Sequence, residues 1–440
     1  MRLLAVESCG AFAAALPRAD AQASLLPAVQ HFAADKSWRV RYNAAAQLAP
    51  LAEALGPEAA ASELLPSFLA LLRDPEAEVR IAAAAKVAAF ARLLPRDAAL
   101  EGVVPAAREL AGDASQFVRA ALASVVMELA PLLGKQATVD HLAPVFLALL
   151  RDPYPDVRLN VIARLDQASA VVGVDLLAQS LLPAVEELAE DKHWRVRLAV
   201  LEHVPLLAAQ LGGEFFQDKL GPQCLRWLAD PVAAVREAAT RALQRVAAEF
   251  GPEWTKAHLV PAVLSMMAGG EAPPAAAAGG IAGGNAAAAA AAQQQQQQQQ
   301  EAGGGAAMMA GLGGPGAEAG DGEAGAAGPP LTAAQHYLYR MTLLGAAAAL
   351  AAHVPRDVLG GELLGALAGR ADDAVPNVRF CVAKALERVC PLLAKEAPLA
   401  LERSVRPCLA RLCEDGDADV RFFAGRALAA CDAAAAGAAH

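Results

Sequence analysis

Two stretches of this chain set an indole beside two guanidinium groups: Lys36-Ser37-Trp38-Arg39-Val40-Arg41 and Lys192-His193-Trp194-Arg195-Val196-Arg197. Their chemistry is that of binding rather than bond breaking. A guanidinium stacks on an indole face through cation–π attraction, and tryptophan and arginine are enriched among the residues that dominate protein interfaces. Two roles are open to each tryptophan: to pack over its own turn beneath the arginine, or to face a partner. Residues arranged for catalysis are missing. The sequence has no nucleophile elbow, phosphate loop, paired catalytic carboxylates or zinc-ligand spacing. Its eight histidines are dispersed, and neither His193 nor His203 has a companion at metal-ligand spacing. The expectation is a protein that is not an enzyme, with no cofactor and no metal site.

The two tryptophan turns stand four equal intervals apart, since 38 + 4 × 39 = 194. The same interval separates Asp35, Asp74, Asp113, Asp152, Asp191 and Asp230, and also Arg41, Arg80, Arg119, Arg158, Arg197 and Arg236. It recurs in Pro27, Pro66, Pro105, Pro144, Pro183, Pro222 and Pro261. A period this strict implies a stacked array, because each unit must present the same face to its neighbour. Within the unit Pro57 to Leu94, one apolar stripe uses Leu64, Leu65, Phe68, Leu69, Leu71 and Leu72 at helical spacing. Asp74-Pro75-Glu76 interrupts it, and a second helix begins near Val79-Arg80. Pro66, inside the first helix, should bend it. Each aspartate can accept from free backbone N–H groups at the start of the second helix. Each arginine can reach an aspartate of its own or of the next repeat, so these residues form a ladder. Asp373, Arg379, Asp415 and Arg421 extend it. A rung exposed to water should contribute only about 0–1 kcal/mol.

The period then breaks. The arginine due at 275 is found at Arg340, a delay of 340 − 275 = 65, and 340 + 39 restores the phase at Arg379. Residues 267–335, rich in Ala and Gly and holding Gln293 to Gln300, read as an insertion within one repeat's inner turn, too poor in large side chains to fold. Arg421 follows Arg379 by 421 − 379 = 42, which suggests a connection longer by three near Lys395–Arg403. Counting back, 41 − 39 gives Arg2, so the chain reads as a fragment that starts halfway through a repeat. The expected fold is all-α: a right-handed α-solenoid of about nine and a half repeats. Repeats span 1–266, the first lacking its first helix, and 336–431; residues 432–440 read as a disordered tail.

Composition agrees. The chain is 56% hydrophobic but only 5% aromatic, which suits close-packed helices. No apolar run reaches the roughly 18 residues of a membrane span. A net charge of −10 argues against general nucleic-acid binding. Seven cysteines without a Cys-x-x-Cys pair fit a reducing compartment, the cytoplasm and also the nucleus, with Cys9, Cys224, Cys381 and Cys390 as buried thiols.

The proline–aspartate–arginine phasing, with Val40, Val79, Val118, Val157, Val196 and Val235 before the arginines, resembles the HEAT repeat. Some HEAT-array enzymes, the deoxyhypusine hydroxylases, bind iron through His-Glu dipeptides; this chain has only the reversed Glu202-His203. Ala189–Ala199, Leu211–Phe216, Arg236–Thr240 and Asn377–Phe380 are similar to the scaffold A subunits of Ser/Thr protein phosphatase 2A. That resemblance implies a scaffold without catalysis, whose partners are the phosphatase catalytic subunit and a variable regulatory subunit. It places Lys192, Trp194, Arg195, Ala233, Tyr337, Arg340, Val375 and Asn377 on the catalytic-subunit side, and Trp38 and Arg39 on the regulatory side. The insertion falls in one of the catalytic-side turns and is expected to loop outward without abolishing binding. The alternative is a HEAT-repeat transport or cargo adaptor of importin type.

Overall fold

The computed structural model describes residues 2–164, 167, 171, 173, 182–269 and 337–437. Most of the insertion and the last three residues lie outside these. Every regular element among the described residues is helical. The chain divides into two compact units, one ending at Leu188 and the other starting at Ala189.

In the first unit the helices Arg2–Ala15, Trp38–Leu55 and Ala77–Ala84 pack each on the next, and Ala77–Ala84, Gln116–Ala123 and Pro155–Ile162 continue the row. In the second, Trp194–Leu211 packs on Ala233–Phe250, that on Tyr337–Leu350, and these on Pro376–Glu396 and Ala418–Gly437 in turn. Each row is the set of second helices, brought together by the constant period. The helix Val260–Met267 packs against Tyr337–Leu350. One repeat is therefore assembled from segments on either side of the insertion. Met267, counted as its first residue, is instead the buried end of a helix.

The repeated proline acts through a local device. A five-residue π-helical turn precedes it in Ala21–Leu25, Ala60–Leu64, Thr138–Leu142 and Phe216–Leu220. In each, the residue before the proline bonds to the carbonyl five back, as Leu65 does to Ala60. The extra residue widens the turn where a proline ring would otherwise strike a carbonyl. The expected bend is thus a π-bulge repeated along the array.

Glycine closes several second helices. Gly212 and Gly251, one period apart, have φ/ψ of 89/168° and 84/175°. This region is open essentially to glycine alone. Two expectations change. The three extra residues before Arg421 lengthen a helix rather than its connection: Pro376–Glu396 has 21 residues, against 18 in Trp194–Leu211 and Ala233–Phe250. Residues 432–437, read as a tail, continue the helix Ala418–Gly437, where alanine propensity favours it. Cys9, Cys224 and Cys390 are buried thiols, while Cys381 is half-buried.

Candidate partner-binding ridge

Most rungs of the ladder repeat one forward geometry. Arg41 Nη1 donates back to the carbonyls of Asp35 and Lys36 in its own turn, at 2.8 and 3.3 Å. Its Nε and Nη2 donate forward to both carboxylate oxygens of Asp74, at 2.6 and 2.9 Å. The same fork joins Arg80 to Asp113, Arg119 to Asp152, Arg197 to Asp230, Arg340 to Asp373 and Arg379 to Asp415. Arg2 gives a single bond to Asp35. Each aspartate also accepts from the amide two residues on, as Asp35 does from Ser37 and Asp230 from Val232. That amide belongs to the residue just before the second helix. Arg158 and Arg236 keep the bonds to their own turns, to the carbonyls of Asp152 and Asp230. Among the described residues Arg421 bonds only its own turn, at Asp415 and Gly416.

These rungs are not the exposed pairs of low value. Asp74, Asp152, Asp230, Arg119 and Arg197 are each 6–7% exposed. Burial raises the stakes, because removing one partner strands a desolvated charge. The Arg379 guanidinium, and then the Asp417 amide, hold the Asp415 carboxyl below its ordinary 3.8. A carboxyl depressed on folding adds stability above its unfolded pKa and loses it as pH falls through the folded one. Acid titration of helicity should therefore show loss beginning below about pH 4, and Asp415→Asn should remove this residue's share of it. An unchanged acid limb in the variant would count against the rung.

The side chains expected to bind lie at the starts of the second helices. Trp38 and Trp194 are the first residues of theirs, half-buried, with Arg39 and Arg195 exposed above. The arginine carbons stand 4.6 and 5.1 Å from the ring centroids, so each pair stacks over its own turn while the guanidinium faces water. Both roles open to the tryptophans are thus compatible. Lys192, Ala233, Tyr337 and Asn377 are exposed and Val375 half-buried at the corresponding turns of the second unit. Arg340, expected on the catalytic-subunit side, also belongs to the ladder. Its fork is committed to Asp373, which leaves Tyr337 as the outward group of that turn.

Some residues escaped the sequence reading. Phe117, 64% exposed, occupies the place in its turn held by Arg39 and Arg195 elsewhere, 39 + 2 × 39 and 195 − 2 × 39. An apolar residue before the Val-Arg pair was the available signal. Phe380 and Phe423 meet with centroids 5.3 Å apart and planes tilted by 32°, with Lys384 4.3 Å from the Phe423 centroid and Phe422 64% exposed beside them. A second, outer set of ion pairs between adjacent repeats, including Arg73–Glu109 and Arg151–Glu187, is open to solvent. Among the described residues there is no His, Cys, Asp or Glu cluster able to hold a metal, and no single helix long and apolar enough to cross a membrane.

This geometry defines a class, the HEAT-repeat α-solenoid, and the family described as HEAT repeat matches residues 25–55 and 220–250. Structures of importin beta and of a Kap95p–RanGDP complex share the fold. Their TM-scores are 0.58 and 0.60 at 12% identity, each covering 94% of this chain and 46% and 45% of theirs. A particular kind of repeat is matched over one stretch: residues 57–134 fit the family described as PPP2R1A-like HEAT repeat. The chain is 36% identical over 100 residues to the regulatory A subunit of protein phosphatase PP2A from Saccharomyces cerevisiae, covering 22% of this chain and 16% of that protein. It is 45% identical over 64 residues to the PP2A 65 kDa regulatory subunit of Drosophila melanogaster, 14% and 10% of the two chains. The matched stretches thus span under a fifth of either relative.

Proposed function

We propose that this chain is a non-catalytic scaffold that holds the catalytic subunit and one regulatory subunit of a protein phosphatase 2A-type Ser/Thr phosphatase. The observation that carries the proposal is the placement of Lys192, Trp194, Arg195 and Tyr337. These lie at the turns of the second unit's repeats, in a chain whose residues 57–134 match the PPP2R1A-like HEAT repeat. Such turns stay available to a partner because the ladder satisfies their backbone carbonyls from within. Trp194 and Arg195 then supply the contact: an amphipathic indole and a guanidinium whose cation–π stacking restrains both before binding.

The test is equilibrium binding of the full chain to purified protein phosphatase 2A catalytic subunit, beside a Trp194→Ala, Arg195→Ala variant. Truncating interface hot spots costs at least about 2 kcal/mol, so a loss of about thirtyfold or more is expected. Both proteins should remain equally helical, since neither side chain belongs to the ladder. Absence of binding by a folded parent chain, or equal binding by both, would defeat the proposal.

A further inference from the structure

Among the described residues, the ladder departs from its pattern at Arg236. Its aspartate is due at 230 + 39 = 269, which is Gly269. Gly269 shares the turn's hydrogen bond, its amide bonding to Met266 O at 3.2 Å as the Asp230 amide bonds to Trp227 O at 3.1 Å, but its φ of 107° is one that a residue with a side chain rarely adopts. No carboxylate is carried at this place. Arg236 Nη1 keeps its bonds to Asp230 O and Pro231 O, at 2.8 and 3.0 Å. The forward edge, which grips a carboxylate elsewhere, meets only a hydroxyl: Nε donates to Thr342 Oγ1 at 3.1 Å. Nη2 finds no acceptor among the described residues. The Thr342 hydroxyl donates its own proton to Leu338 O at 2.9 Å, so it can offer Arg236 a lone pair but no charge.

Arg236 is only 7% exposed, as deeply set as Arg197, which has its aspartate. Desolvation, the largest influence on this guanidinium, lowers its pKa, whereas Arg41, Arg80 and Arg379, which hold aspartates, are raised by them. A second oddity lies on the same helix as Thr342, just before it. Tyr339 fills the slot held by valine in the other repeats; it is 1% exposed, and its hydroxyl finds no partner among the described residues. Two polar groups that want an acceptor therefore belong to one inter-repeat step.

We infer that the forward edge of Arg236 is a receptor for a carboxylate carried by the docked catalytic subunit, so that an Asp or Glu side chain of that partner completes the rung in trans. Carboxylate is the ligand chemistry because the same fork binds one bidentately in Arg197 and Arg340, and Arg197 is fixed by the same two backbone carbonyls of its own turn. The partner is the source because this step lies between the turns of Trp194–Arg195 and Val375–Asn377, on the ridge proposed above. The inference rests on that scaffold reading.

A plug tests it. Thr342→Asp places a carboxylate where Oγ1 now meets Nε, filling the receptor from within the chain. Thermal unfolding of the full chain alone and binding to purified protein phosphatase 2A catalytic subunit are measured for the parent, Thr342→Asp, Arg236→Gln and the double variant. The expected result is a higher Tm for Thr342→Asp together with at least tenfold weaker binding. Arg236→Gln should weaken binding to a like extent, and the plug should add nothing in its background. A plug that raises Tm yet leaves binding unchanged overturns the inference while the scaffold reading stands. A folded parent that fails to bind overturns both.

Discussion

Replacing Asp230 by alanine is expected to cost the second unit about 3–5 kcal/mol, the range for removing one partner of a buried ion pair. The carboxylate takes two bonds from Arg197, at 2.8 and 3.0 Å, and one from the Val232 amide at 2.8 Å. The Arg197 and Asp230 side chains are 9% and 6% exposed, so water cannot replace what is lost. Arg197 would keep its bonds to Asp191 O and Lys192 O but become a buried cation facing nothing. Urea unfolding gives the magnitude, and amide exchange its location. Protection should fall first in Trp194–Leu211 and Ala233–Phe250, because solenoid repeats respond chiefly through nearest neighbours. Replacing the pair together, Arg197→Met with Asp230→Leu, should recover most of the loss, since the desolvation penalty leaves with the charges. A loss below about 1 kcal/mol for the single variant would mean that the rung behaves as a surface pair.

In the first unit, the largest effect is expected at Phe90. This ring and Phe68 are both fully buried, with centroids 4.3 Å apart and planes inclined by 25°. They belong to the two helices of one repeat, so the stack ties the hairpin together across its interior. Phe90→Ala removes a large side chain with no room for collapse and should destabilise by about 3–5 kcal/mol. Phe90→Leu should cost less, because it keeps most of the volume and loses the ring contact. Similar unfolding midpoints for the alanine and leucine variants would contradict this account of the site.

The array was legible because its signals are chemical and periodic. Aspartate, arginine and proline stand at fixed intervals, and even Arg2, found by subtraction, bonds to Asp35. What was not legible had no such signature. The π-turns cannot be seen in any residue, because they are how the backbone accommodates Pro27, Pro66, Pro144 and Pro222 against their own carbonyls. Gly134, Gly173, Gly212 and Gly251 share the common period and a positive φ, a pattern the sequence carries beneath the louder one of the charged residues. At the ridge, the tryptophan turns were readable from composition alone. The commitment of Arg340 to Asp373 was not, because its value depends on which way a long side chain turns. The vacancy at Gly269 was hidden for a similar reason: an absent residue becomes informative only when the arginine it should meet is seen to be buried.

The forks also give each unit a grammar. Each closed fork reaches in the same sense along the chain, so such a repeat offers a donor edge to one neighbour and an acceptor edge to the other. Identical mating edges of opposite kind are what make building blocks interchangeable. Removing or duplicating one whole period from Ala77 onward would rejoin a donor to an acceptor and leave no mismatched junction. Cutting by any other length would set arginine against the wrong side chain. Such a chain can change its length in evolution or in the laboratory by whole words, and hardly ever by letters.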